Sequence, residues 1–141
     1  MKNLLSFKRK PYSFNAFTLT ELLVVLVIVG ILILLALPRL MPLISKAKST
    51  EAQLQLKHIH TLQKTYFYTH SKYSNSVDDI GYEQAPLVTE DGSANYKVEI
   101  VEASSNSFKA RATAVVDFDG DGQFNIWEVD ENNKIEEVQK D

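Results

Sequence analysis

The 141-residue chain has no cysteine, so no disulfide framework can hold it together. A small domain without that support needs packing against a helix, contacts between subunits, or a metal. The chain also lacks a basic excess: its formal net charge is -3. Every charged residue before Glu21 is basic: Lys2, Lys8, Arg9 and Lys10. Without them 11 basic residues face 18 acidic ones, so the part from Glu21 onward carries about -7. A surface of that sign does not hold nucleic acid by charge attraction, and no nucleic-acid partner is expected. No nucleotide-binding loop, nucleophile–base pair or metalloprotease motif occurs, and the sequence does not read as an enzyme. His58, His60 and His70 are spaced as exposed helix positions rather than as a metal cluster.

Charge is absent from one stretch altogether. Leu22 to Pro38 reads LLVVLVIVGILILLALP, with no charged residue until Arg39. With Phe17 to Thr20 it reaches the ~20 residues that cross a hydrocarbon layer of ~30 Å as a helix. The basic leader predicts a cytoplasmic N-terminus with the remainder outside. A secretory signal would end in a small-residue cleavage site after a shorter apolar run. Here the small residue, Ala16, precedes the run, so cleavage there would leave the helix in the mature chain. A plain single-span anchor accounts for the length but not for Glu21. A carboxylate in such a helix is costly unless it is paired or near the interface. Cutting between Ala16 and Phe17 would create an α-ammonium on Phe17. That cation is a natural partner for Glu21 of a neighbouring subunit, and the pair would set the register of stacked helices.

The stretch AFTLTELLVVLVIVGILILLALP, within residues 8 to 42, resembles the class III signal of type IV pilins and type II secretion pseudopilins. The resemblance implies a prepilin peptidase that cuts before Phe17 and methylates its new amine. It also implies Glu21 as the assembly carboxylate, and Gly30 and Pro38 as helix-softening positions. Ala16 departs from the Gly usual before the cut. The implied organisation is a cleaved leader (residues 1–16), a transmembrane and assembly helix (17–42) and an exported globular domain (43–141). The implied fold is α+β: a long N-terminal spine helix packed on a small antiparallel sheet of three to four strands. The expected function is a structural pilus subunit; the alternative is a major pseudopilin that helps secrete folded proteins. Expected partners are further copies in a homopolymer, prepilin peptidase, an inner-membrane assembly platform, and membrane lipid before assembly. The expected location is the bacterial inner membrane, then a periplasmic or surface filament.

The rest of the chain reads consistently. Pro38 and Pro42 each remove a helix donor, giving either a local melting point or a fixed bend. From Ser45 to about Tyr68, Ala52, Leu56, Ile59, Leu62 and Tyr66 form one apolar stripe. Lys46, Lys48, Glu51, Lys57 and Lys64 are expected to face solvent. Ser71 to Pro86 is turn-rich and holds a short apolar plug of Val77, Ile80 and Tyr82. Tyr96, Val98 and Ile100 alternate with Lys97 and Glu99. Phe108, Ala110, Ala112 and Ala114 alternate with Lys109, Arg111 and Thr113. Both runs have the period of half-buried strands, with a turn at Ser104 to Ser107. QFNIWEV predicts a third strand and IEEV a short fourth.

Between strands two and three lies DFDGDGQFNIWE, Asp117 to Glu128. It satisfies the calcium-loop pattern D-x-[DN]-x-[DN]-G-x5-E. Asp117, Asp119 and Asp121 would give side-chain oxygens, Gln123 its carbonyl, Asn125 direct or water-mediated ligation, and Glu128 bidentate ligation. The incoming ATAVV reads as strand, not helix, and Asp-Gly pairs also make bare hairpin turns. Major pseudopilins, by the same resemblance, often carry a C-terminal calcium site in place of a disulfide.

Overall fold

A computed structural model of the protein describes residues 16–140. The leader expected at residues 1–16 lies outside them, apart from Ala16. The first element, α1, runs from Leu19 to His70 and is 52 residues long. The chain divides into two compact units, one ending at Ala36 and the other spanning Leu37–Asp141.

Nothing in the first unit is buried among the described residues. Large apolar side chains from Leu22 to Leu35 are exposed throughout, from 44% at Val29 to 70% at Leu34. A helix of a soluble domain hides an apolar stripe against its own core. Here the described residues bury none of that surface.

The helix continues through Pro38 and Pro42, each of which leaves one helical carbonyl without its backbone N–H donor. From Ser45 onward α1 becomes one wall of the second unit's core. Ala52, Leu56 and Ile59 are fully buried, and Leu62 and Tyr66 pack against them, as the periodicity predicts. The charged face is less uniform than expected. Lys46 and Lys57 are exposed, whereas Lys48, Glu51 and Lys64 are half-buried. Lys48 donates to Asn95 Oδ1 at 3.0 Å, and Glu51 accepts from the Asn95 backbone N–H at 2.8 Å and its amide at 2.7 Å. Lys64 donates to the Tyr73 hydroxyl at 2.9 Å. These charges fasten the helix to later parts of the chain, and sequence periodicity cannot distinguish that from solvation.

Ser71, at φ 54°, ends the helix in the left-handed region. The following segment folds back over the helix. Ile80 and Tyr82 are each 7% exposed and join the core, with Val77 packed against it. Gln63, a buried polar residue on α1, holds this segment with both ends of its amide. It donates to the Ser74 carbonyl at 2.7 Å and accepts from the Ser74 N–H at 3.0 Å. Gly92 is required by close approach: a Cβ there would lie 1.9 Å from the Pro86 carbonyl oxygen.

Four strands complete the unit: β1 (Tyr96–Ala103), β2 (Phe108–Ala114), β3 (Ile126–Asp130) and β4 (Ile135–Gln139). They form an antiparallel meander in the order β1-β2-β3-β4. The alternation in β2 is complete: Phe108, Ala110, Ala112 and Ala114 are all buried, with half-exposed residues between them. Part of the β1 edge is capped by the Gln84 amide, which donates to the Tyr96 carbonyl at 3.1 Å and accepts from the Val98 N–H at 3.0 Å. A side chain thus stands in for a neighbouring strand and blunts an edge open to unwanted pairing.

Tyr82 carries a pH signature. Burial, with the Glu51 carboxylate nearby, raises its phenol above the ordinary value of 10.0. The neutral phenol therefore stabilises the fold below that value, and the contribution is lost as pH rises through the raised folded value. In melting curves between about pH 9 and 11, Tyr82→Phe is expected to lose less stability than the parent chain. Identical pH slopes would exclude this role for Tyr82.

Candidate functional site

Two groups of residues carry chemistry. The first is the junction at Ala16–Phe17 and the helix start beside it. Ala16 and Phe17 are exposed, with Phe17 at 83%. Thr18 immediately precedes α1, and Glu21 lies in its first turn. The Glu21 carboxylate accepts from the Thr18 backbone N–H and from the Thr18 hydroxyl, both at 2.8 Å. In return the Thr18 hydroxyl accepts from the Glu21 N–H at 3.2 Å. This reciprocal arrangement is a capping box, satisfying two donors that a helix N-terminus otherwise leaves open. The pattern Thr18-x-x-Glu21 was available in the sequence but is masked by the apolar run, where the acid draws attention as an intramembrane charge. Its negative charge also complements the positive end of the helix dipole. Glu21 thus has a task within its own chain before any neighbour arrives.

The second group is the loop from Asp117 to Gln123. Asp117 is half-buried, Asp119 and Asp121 are exposed, and one oxygen from each lies within 4.8 Å of the others. The loop is wound by side-chain to backbone bonds. Asp117 accepts from the N–H groups of Gly120 at 2.6 Å and Gly122 at 2.8 Å. Asp119 accepts from Asp121 N–H at 3.0 Å, and Asp121 from Gln123 N–H at 2.7 Å. Gly120 and Gly122 have φ of 82° and 87°, which permits the tight winding at low cost.

The structure brings together three of the expected ligands and sends two elsewhere. Glu128 lies on β3 opposite Arg111. Its Oε1 accepts from Arg111 Nε at 2.8 Å and Nη2 at 2.6 Å, and Lys109 lies 3.9 Å from Oε2. In this structure the carboxylate therefore pairs across the strands with Arg111. Asn125 is fully buried. Its Oδ1 accepts from the Tyr96 hydroxyl at 2.7 Å, Trp127 Nε1 at 2.6 Å and the Ser49 hydroxyl at 3.4 Å. Its amide donates to Glu137 Oε1 at 2.7 Å and to the Gln139 carbonyl at 3.1 Å. One side chain therefore joins helix α1 to β1, β3 and β4. The strand context explains the departure from a helix–loop–helix site: β3 begins at Ile126, and its pleat puts Glu128 on the sheet face it shares with Arg111. What fits a hard cation here is the trio Asp117, Asp119 and Asp121, with the Gln123 carbonyl next in the loop.

The histidines form no common cluster. His58 is exposed beside the Tyr82 ring, His60 lies against Phe108 and 3.2 Å from the Glu131 carbonyl, and His70 stacks on Tyr66 at 4.0 Å.

Comparison with known proteins bears on the first group. Residues 13–37 match the family described as the prokaryotic N-terminal methylation motif. The chain is 38% identical over 68 residues to the type IV major pilin protein PilA of Myxococcus xanthus (strain DK1622). That alignment takes in 48% of this chain and 31% of the relative, so the chain spans about a third of that relative's length. The motif, the relative and the long helix on an antiparallel sheet bear out the resemblance to the type IV pilin superfamily.

Replacing Asn125 by Leu removes the acceptor shared by the Tyr96 hydroxyl and the Trp127 indole N–H, and the donor to the Glu137 carboxylate. A loss of about 3 kcal/mol is expected from unpaired buried polar groups. Chemical denaturation of the full chain in detergent measures it, and a loss under about 0.5 kcal/mol, the level of an ordinary surface change, would refute the hub.

Proposed function

We propose that this chain is a structural subunit of a type IV pilus, made as a membrane-anchored precursor and polymerised through α1. The observation that carries the reading is the exposed Phe17 followed by a capped helix start and an apolar helix that its own chain leaves uncovered. Prepilin peptidase would act on residues 1–16, cutting between Ala16 and Phe17 and methylating the new amine. Residues 17–42 would first sit in the inner membrane and then line the filament core, with residues 43–141 outside. In the filament the Phe17 ammonium of one subunit would meet Glu21 of the next. Because Glu21 already caps its own helix, its oxygens are held at the helix start and need little ordering to receive the ammonium. Buried among apolar helices, such a pair is worth most by its register: removing one partner leaves a charge uncompensated, costing about 3–5 kcal/mol. An assembly platform in the inner membrane would extract each subunit from lipid.

Glu21→Val should still insert in membranes but should not yield filaments by electron microscopy, and mass spectrometry of parent filaments should find methylated Phe17 at the N-terminus. Normal filaments from Glu21→Val, or a mature chain beginning elsewhere, would overturn the reading.

The major pseudopilin reading has one observation in its favour: the three converging carboxylates in a chain without cysteine. A calcium ion held by Asp117, Asp119 and Asp121 would offset their mutual repulsion and fix the β2–β3 connection. At about a hundred times its Kd, calcium would add about 2.7 kcal/mol to stability. The full chain in detergent should melt higher in millimolar calcium than in EDTA, and the shift should vanish in Asp119→Asn/Asp121→Asn. Equal melting temperatures in both solutions would remove calcium from the account.

A further inference from the structure

A cleft of about 330 Å³ opens beside α1 shortly after the apolar run, a volume within the small-ligand range. Pro42, Ser45, Lys46, Ser49 and Gln53 of α1 line one side, and Trp127, Glu137 and Lys140 line the other. The cleft belongs wholly to the second unit.

Its polar groups are only partly used by the protein. Ser45 is 6% exposed yet lines the cleft; its carbonyl accepts from Ser49, while its hydroxyl has no hydrogen bond among the described residues. The ion pairs among those residues engage Lys109, Arg111 and Lys134, and leave Lys46 and Lys140 aside. The opposite charge is held in place. Glu137 Oε1 is fixed at 2.7 Å by the Asn125 amide, and the Trp127 ring by its 2.6 Å bond to the same residue. Since Asn125 is fully buried, it presents a carboxylate and an aromatic ring to the cleft at little ordering cost on binding.

Two lysines and a hydroxyl suit a phosphate. A carboxylate beside an indole suits an alkylammonium. The cleft thus matches a ligand carrying both groups a few atoms apart.

We infer that this cleft binds the headgroup of a zwitterionic phospholipid of the phosphoethanolamine type. Lys46, Lys140 and Ser45 take the phosphate, and Glu137 and Trp127 take the ammonium. The inference rests on the reading of residues 17–42 as a membrane segment. It gives the subunit a specific lipid contact before assembly, one that extraction from the membrane must break.

Trp127 is the only tryptophan in the chain and so reports on the cleft directly. The full chain in nonionic detergent is titrated with short-chain phosphatidylethanolamine, with phosphatidylglycerol, and with glycerophosphoethanolamine, which has no acyl chains. A saturable change in Trp127 emission is expected with both ethanolamine compounds. Lys46→Ala/Lys140→Ala should bind them roughly tenfold more weakly, with an unchanged melting temperature because neither lysine has an ion-pair partner among the described residues. Glu137→Gln should keep its bond to Asn125 and lose the preference for ethanolamine over glycerol. A non-saturating response, or equal titrations for the parent and the double lysine variant, would overturn the site. Saturation by glycerophosphoethanolamine without a response to the lipid would overturn the assignment to membrane lipid. Flotation with vesicles is scored separately: failure to float rejects the membrane reading, while the micelle titration still decides the cleft.

Discussion

The second unit depends on the apolar seam between α1 and the sheet. Ala110, Ala112 and Ala114 on β2 meet Ala52, Leu56 and Ile59 on α1 in one buried cluster. Small residues on the sheet leave room for a helix that carries the larger ones. With no disulfide available, this apolar seam and the polar bonds along its margins must hold the unit. At one margin Glu51 and Lys48 grip Asn95 at the start of β1. At another Gln63 grips Ser74, and at a third Asn125 gathers groups from three strands and the helix. The polar groups at these three margins are hydrogen-bonded where burial would otherwise make them costly.

Asn125 also explains why the acidic loop differs from a helix-flanked calcium loop of the same spacing. The pattern counts residues, but ligation needs their side chains to converge. Convergence holds for the three aspartates, which are wound by their own backbone bonds. It stops where β3 begins, because a strand directs alternate side chains to opposite faces. Glu128 then meets Arg111 across the sheet, and Asn125 turns into the interior. The same amide positions Trp127 and Glu137, so the loop, the core and the cleft share one residue.

The helix start shows a parallel economy. Glu21 caps α1 through Thr18, and the same carboxylate is the one proposed to meet a neighbour's amine. A cap orders the acid within its own chain, so the intermolecular contact adds to an arrangement already present. Everything between that cap and Pro38 is left uncovered by the described residues, and membrane and filament would be successive environments for that one surface in the proposed life of the subunit.

Much of this was legible in the residue order, because it depends on local period and on charge. The uncharged run from Leu22 to Pro38, the helical stripe of Ala52, Leu56 and Ile59, and the alternation in β1 and β2 are properties of short windows. So is the Ala16–Phe17–Glu21 pattern, whose resemblance the comparisons support. Other features needed residues far apart in sequence to meet. Nothing near Asn125 announces that Ser49, Tyr96, Trp127 and Glu137 converge on it, and nothing near Glu51 or Lys48 announces Asn95. Polar side chains at the edge of a stripe read as solvated until the fold decides which of them become half-buried and bonded. The sequence by itself determined where the chain is helix, strand and apolar span, since backbone geometry makes side-chain direction periodic. Only the tertiary structure decided which polar groups are withdrawn from water, because that depends on what packs against them.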